Sequence, residues 1–95
     1  MELITHVVFF KFKDPADMAK ARDALLGLQG KIPQLRHLEV GVDVVRSQRY
    51  YDLALLAKFD SLDDLQAYQI HPDHQKVANY ISEIRESVVA VDYES

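Results

Sequence analysis

The chain contains no cysteine, only three glycines and three prolines, and no apolar run that approaches the roughly 20 residues of a membrane-spanning helix. The missing thiol excludes a disulfide framework, a thiolate nucleophile and a thiolate metal site. The start of the chain, Met1 to His6, has neither the basic region nor the cleavage site of a signal peptide. These absences predict a cytoplasmic protein with no membrane partner.

Basic residues are also fewer than acidic ones. Lysine and arginine together number 11 against 15 aspartates and glutamates, the net charge is -4, and the basic residues are scattered along the chain. A surface that tracks nucleic-acid phosphates needs clustered basic residues, so nucleic acid is not an expected partner. No glycine-rich phosphate loop, Gly-x-Ser-x-Gly elbow or His-Glu-x-x-His pattern occurs, and neither a cofactor nor a metal is expected.

The composition is that of a globular protein, with 48% apolar and 27% charged residues, and residues 1–95 are expected to form one domain. Hydrophobic periodicity predicts strands over residues 3–13, 37–44, 51–59 and 87–94, a helix over 14–30, and a pair of helices over 61–86. This order is the split βαβ arrangement of an α+β, ferredoxin-like fold with a four-stranded antiparallel sheet and helices on one face.

Local signals mark the helix starts and the turns. Asp14 followed by Pro15 is typical of an N-cap and a first helical position, and Ser61 resembles the start of a capping box. Pro72 divides the helix pair because it pushes His71 toward extended backbone angles. Residues 46–49 are interpreted as a polar hairpin connection between the second and third strands.

The first and last strands are apolar on both faces. In the first strand, Ile4, His6, Val8, Phe10 and Phe12 share one face, and in the third strand Tyr51, Leu53, Leu55, Ala57 and Phe59 do the same. The opposite face of the sheet would then hold the pairs Val7/Phe9 and Val89/Val91. Because helices cover only one side, these exposed apolar pairs predict a homodimer in which the sheet of a second copy covers them.

Groups able to perform acid/base chemistry are concentrated between Tyr68 and His74, since histidine titrates near neutral pH and a tyrosine hydroxyl can exchange a proton with it. Strand parity points His6 toward the helices, and helical spacing places His74 three residues before Val77 on an inward stripe. We therefore predict that His6, Tyr68 and His74 meet in a small apolar cavity between sheet and helices. Its expected apolar lining is Val8, Phe10, Leu55 and Val77.

In this interpretation His74 and Tyr68 are the catalytic pair and His6 is a ligand-binding residue. A histidine base could remove a proton next to a carbonyl while the phenol stabilises the oxyanion that develops. A structural alternative stays open, in which His74 satisfies buried polar groups at a helix start and Tyr68 anchors the core. His71 is expected to serve the turn around Pro72.

Metal binding by His71, His74 and either His6 or Asp73 is a weaker hypothesis. The two histidines lie on either side of Pro72, and the sequence offers them no firm third ligand. We therefore expect no metal site.

Five separated segments of the chain form a set whose order and spacing are informative together. They are residues 6–13 (HVVFFKFK), 31–33 (KIP), 51–55 (YDLAL), 68–74 (YQIHPDH) and 91–93 (VDY). Through these segments the chain resembles, over nearly its whole length, the stress-responsive dimeric A/B barrel (Dabb) family. The resemblance implies a ferredoxin-like monomer and a dimeric α/β barrel built from two sheets. Many members of the family are known only as stress-responsive or of unknown function, so the resemblance implies much less about activity than about fold.

The chain also resembles, more distantly, the plant olivetolic acid cyclase, which closes a polyketide by an aldol reaction on this scaffold. That resemblance implies catalytic roles for Tyr68 and His74. Two pocket positions differ, because a histidine and a tyrosine of the cyclase correspond to Leu53 and Leu25. A small apolar or aromatic ligand with one or two oxygens therefore fits better than a polyhydroxylated one.

Three functions stay open at this point. The first is a homodimeric small-molecule binding or stress-associated module, and the second is a cofactor-independent, polyketide-cyclase-like lyase or isomerase that uses the His/Tyr pair. A third, cofactorless oxygenase chemistry, rests on fold analogy alone.

Overall fold

The computed structural model describes residues 3–48 and 50–95. Its elements are β1 (Ile4–Phe12), a 3₁₀ turn (Pro15–Asp17), α1 (Met18–Leu26), β2 (His37–Val42), β3 (Leu53–Phe59), α2 (Leu62–Ile70), α3 (Pro72–Ile84) and β4 (Arg85–Glu94). The strands pair antiparallel in the order β2-β3-β1-β4. The predicted α+β, split βαβ fold is therefore confirmed. Within the described residues, no helix is both long and apolar enough to cross a lipid bilayer.

Side chains cap the helices at the predicted places. The Asp14 carboxylate accepts a hydrogen bond from the Ala16 N–H at 3.0 Å, and the Ser61 hydroxyl accepts one from the Asp64 N–H at 3.1 Å. His71 ends α2 and also caps α3, because its Nδ1 accepts a hydrogen bond from the backbone N–H two residues later. These bonds satisfy backbone donors that have no partner inside a helix.

The first helix is shorter than predicted. Its opening turn is 3₁₀, so α1 begins at Met18, and it ends at Leu26 although the sequence predicts helix to Gly30. The backbone tightens there into i to i−3 hydrogen bonds, in which the Leu28 N–H donates to the Leu25 carbonyl and the Gln29 N–H donates to the Leu26 carbonyl. Gly30 then adopts a positive φ of 82°, which glycine tolerates without steric cost. Leu28 stays buried, so the predicted apolar stripe continues past the helix end.

The predicted end of β2 and the predicted start of β3 are wrong. Strand pairing stops at Val42 and resumes at Leu53, and Val44 is 86% exposed instead of lying on the inner face. Tyr51, predicted on the inner face, contacts Phe9 on the outer face with ring centroids 6.5 Å apart. Position 49, expected within the hairpin connection, lies outside the described residues.

The cause of this departure is a bend at Asp52, whose side chain is buried. Its carboxylate accepts hydrogen bonds from the Phe12 N–H at 2.7 Å and from the Arg46 guanidinium at 3.0 Å, while its own N–H donates to the Phe10 carbonyl at 2.8 Å. The Phe12 N–H needs such a partner because the pairing of β1 with β4 shifts register between Lys11 and Phe12. A buried aspartate thus interrupts the strand alternation.

The core lies on the helix-covered face of the sheet and includes Ile4, Val8, Phe10, Phe12, Leu53, Leu55, Phe59, Ala21, Leu25, Leu65, Tyr68 and Ile81. The opposite face has no covering element within the described residues. Phe9, Val89 and Val91 are 42%, 47% and 62% exposed there, and the register places Phe9 opposite Val89 and Val7 opposite Val91. The predicted apolar pairs on the free face are therefore confirmed.

We expect Asp52→Ala to lower the free energy of unfolding by roughly 2 kcal/mol, because it leaves the buried Phe12 N–H without an acceptor. Urea denaturation followed by circular dichroism measures the change. Asp60→Ala is the matched control, since Asp60 binds the exposed guanidinium of Arg36 and its loss should cost much less. Equal losses for the two variants would contradict the role assigned to Asp52.

Candidate active site

A cavity of about 460 Å³ lies between the sheet and α3. Its walls combine apolar residues from the core with a few polar side chains at its ends. All the residues predicted to form the site line it, namely His6, Val8, Phe10, Leu55, Tyr68, His74 and Val77. The volume falls in the range of small-molecule pockets.

Tyr68 contacts the rings of both histidines that line the cavity. Its side chain projects from α2, it is 1% exposed, and its ring packs against Phe59 with centroids 4.9 Å apart. Burial raises the pKa of Tyr68 to about 12, because an ionised phenolate would lose its hydration. The side chain therefore stays a neutral phenol, able to donate a hydrogen bond to an oxyanion.

His74 packs against Tyr68, with ring centroids 4.4 Å apart and the ring planes inclined by 56°. Its Nδ1 donates a hydrogen bond to the Gln69 carbonyl at 3.1 Å, so the proton of a neutral ring is on Nδ1 and Nε2 has a free lone pair. Burial lowers the pKa of His74 below its ordinary value, the Gln69 carbonyl partly offsets this, and the charges of His6 and His71 lower it further. The imidazole is thus neutral near pH 7 and can accept a proton.

His6 also approaches the Tyr68 ring, with ring centroids 6.5 Å apart in an edge-on arrangement. Its Nδ1 hydrogen-bonds the carboxylate of Asp92, the residue directly opposite it on β4. A carboxylate in this position holds the ring orientation and keeps the Nδ1 proton in place. Sequence reasoning placed Asp92 only within a family motif and missed its contact with His6. Antiparallel pairing of the first and last strands would have brought Asp92 to the strand beside His6, but the register that sets the two residues opposite each other is known only from the structure.

His71 does not line the cavity with His6, Tyr68 and His74, and its Nδ1 caps α3, in agreement with the turn role predicted for it. Within residues 3–48 and 50–95, no group of three or more histidines, aspartates or glutamates is placed to hold a metal ion. Three further polar residues along the α3 side of the cavity were not predicted to form the site: Asn79, Ser82 and Arg85. Their spacing of three residues was the available signal. Arg85 was expected on a solvated helix face, but it begins β4 and lines the cavity.

Comparison with known proteins identifies relatives of this arrangement. The model of the stress-responsive A/B barrel domain family matches residues 4–95. A stress-response A/B barrel domain-containing protein of Arabidopsis thaliana is 32% identical over 97 residues, which cover 96% of this chain and 46% of that protein. The chain thus spans about half the length of this curated relative.

Solved structures with the same fold include a dimeric protein of unknown function from Bacteroides fragilis. It is 32% identical, has a TM-score of 0.88, and the match covers 98% of this chain and 96% of that one. A hydroxynitrile lyase from Passiflora edulis is 19% identical with a TM-score of 0.85, covering 99% of this chain and 94% of that one. At that identity the likeness extends to the fold alone.

We expect the imidazole of His74 to titrate below the ordinary histidine value of about 6.5. Because the folded-state pKa is lowered, the unfolded chain binds this proton first as the pH falls. The free energy of unfolding should therefore decrease as the pH drops below about 6.5. Titration of the His74 ring resonances by NMR measures the shift, and the same residue in the urea-unfolded chain provides the control. A folded-state midpoint at or above the unfolded one would contradict the assignment.

Proposed function

The chain belongs to the stress-responsive A/B barrel domain family, and we propose that it is a homodimer whose cavity binds a small, mostly apolar carbonyl compound and catalyses proton transfer on it without a cofactor. The observation on which this proposal rests is the contact between the neutral imidazole of His74 and the buried phenol of Tyr68 at the end of an apolar cavity. The reaction class is that of a lyase or isomerase.

Binding follows from the character of the cavity. Val8, Phe10, Leu55 and Val77 present apolar surface, and a ligand that covers it gains roughly 25 cal/mol for each Å² removed from water. Leu25 also lines the cavity, and Leu53 is buried nearby in the core, so two positions that are polar in the plant cyclase are apolar in this chain. An aromatic or alkyl ketone or aldehyde suits this lining better than a polyhydroxylated compound.

His74 and Tyr68 each have one role in the proposed proton transfer. His74 Nε2 removes a proton from the carbon next to the carbonyl, and the electrons of the broken C–H bond pass to the carbonyl oxygen as an enolate. The Tyr68 hydroxyl donates a hydrogen bond to that oxygen. The imidazolium then returns the proton to carbon, which restores the enzyme. His6, oriented by Asp92, lines the same end of the cavity and contacts the bound oxygen or its neighbour.

The fold relatives support this class of reaction. The Passiflora edulis protein with the same fold is a hydroxynitrile lyase, so the scaffold accommodates a lyase site in at least one protein. Its substrate is not transferred to this chain, because the shared feature is the fold.

We expect the wild-type protein to accelerate exchange of the α-protons of phenylacetone with D₂O, measured by loss of the methylene signal in proton NMR. His74→Gln should lower the rate by about 10²-fold or more, since general bases contribute roughly 10²–10⁴. Tyr68→Phe should lower it by about 10²-fold through loss of the oxyanion donor. His37→Gln is the control, because His37 lies on β2 with its side chain half exposed, outside the cavity.

Two outcomes would contradict the proposed catalysis. If phenylacetone binds, as seen by shifts of cavity resonances, but exchange is no faster than in buffer, the protein is a binding module. If exchange survives in His74→Gln, the base is another group.

The proposal of a homodimer is based on the free face of the sheet. Phe9, Val89 and Val91 form an apolar surface on the two strands β1 and β4. Monomeric proteins rarely expose contiguous apolar surface of this kind without a partner. The Bacteroides fragilis relative is dimeric, and stacking two such faces would bury both.

We expect the wild-type protein to sediment as a dimer of twice the 10.9 kDa chain mass, and Val91→Glu to sediment as a folded monomer. The glutamate would place charge in the middle of the buried apolar face, which costs free energy only in the dimer. Ile70→Glu is the matched control, because Ile70 is 70% exposed at the end of α2 and Val91 is 62% exposed. A dimer that persists in Val91→Glu would contradict this interface.

A further inference from the structure

Arg85 is a cationic residue in the lining of the cavity, and no other arginine or lysine of the described residues lines it. It lies where α3 ends and β4 begins, is partly buried, and lines the same cavity as His74 and Tyr68. Among the described residues, its guanidinium has no hydrogen-bond or ion-pair partner. Glu83 and Glu86, its nearest acidic neighbours in sequence, are both exposed and do not pair with it.

The unpaired state of Arg85 contrasts with the other arginines in the described part of the chain. Arg22, Arg36 and Arg46 each contact a carboxylate at 3.2 Å or less. Acidic residues outnumber basic ones by 15 to 11 in this chain, so partners are abundant. No aspartate or glutamate of the described residues lines the cavity. No carboxylate of the described cavity lining therefore competes with an incoming anion for Arg85.

Arg85 is also part of a polar edge. Asn79, Ser82 and Arg85 follow one another at intervals of three residues and all line the cavity. The Ser82 hydroxyl donates to the Asn79 backbone carbonyl at 2.7 Å, which leaves the Asn79 side-chain amide and the guanidinium as donors. Within this edge, Arg85 is remote from the acid/base pair, because the ten residue steps from His74 to Ile84, the residue before it, span roughly 15 Å along the helix axis.

We propose that the ligand is an elongated carboxylate whose anionic end binds Arg85 while its carbonyl lies against His74 and Tyr68. This inference rests on the proposed function, since it assigns the substrate class of the same cavity. A guanidinium binds a carboxylate through two parallel hydrogen bonds, and such a charge-assisted pair is stronger where water is partly excluded. The apolar wall between the two ends accepts the hydrocarbon body, so arylalkanoic or fatty-acid-like keto acids fit.

The test compares 6-phenylhexanoate with its amide, 6-phenylhexanamide, which has the same body without the charge. Dissociation constants for both come from titrations followed by backbone amide NMR signals. We expect the wild-type protein to bind the carboxylate at least about tenfold more tightly, and Arg85→Gln to bind both probes equally, with the affinity for the amide unchanged within about twofold. Arg85→Lys should retain part of the preference, because it keeps the charge and loses the two-bond geometry.

Arg22→Gln is the matched control, because Arg22 lies on α1, outside the cavity lining, and it should keep the wild-type preference. Dispersed amide spectra of each variant verify that it is folded. Equal binding of the two probes by the wild-type protein overturns the role of Arg85 and leaves the cavity and its acid/base pair intact. A preference that persists in Arg85→Gln also overturns it. If the wild-type protein binds neither probe, this inference is overturned. If phenylacetone does not bind, the proposed function is overturned, which is a separate result.

Discussion

The antiparallel pairing of β1 with β3 and β4 is the constraint on which the rest of the structure depends. One face of β1 supplies Val8 and Phe10 to the core and His6 to the cavity, while the other supplies Phe9 to the free surface. Because neighbouring side chains of a strand point in opposite directions, one strand serves both the cavity and the free face. A register slip of one residue would exchange the two sets, and burial of the inner set opposes such a slip.

The second constraint is the break between α2 and α3. His71 ends one helix and caps the next, and Pro72 occupies the first helical position of α3. This corner turns the chain so that Tyr68 on α2 and His74 on α3 meet ring against ring. The Gln69 carbonyl, at the C-terminal end of α2, lacks a partner within its helix and accepts the His74 Nδ1 proton. The helix break therefore also determines which nitrogen of His74 is free.

Burial shifts the pKa values of Tyr68 and His74 in opposite directions, and both shifts suit the proposed proton transfer. It raises the pKa of Tyr68 and lowers that of His74, since each side chain is driven toward its neutral form. A neutral acid donor and a neutral base thus coexist near pH 7 in contact with each other. The same partly dry environment would strengthen the interaction of an anion with Arg85 at the other end of the cavity.

Periodicity and capping chemistry determined much of this protein from sequence alone: the order of its elements, the inward direction of His6 and His74, the turn role of His71 and the apolar free face. These features are local, because each follows from backbone geometry over a few neighbouring residues. Only the tertiary structure placed Asp92 against His6, bent the chain at Asp52 so that Tyr51 reached the free face, and left Arg85 unpaired at the cavity. Each of these depends on which strands pair and in which register, and residues 40 to 86 positions apart come into contact through that pairing. Local pattern does not contain that information, since it sets the face of an element and not the partner that the face meets.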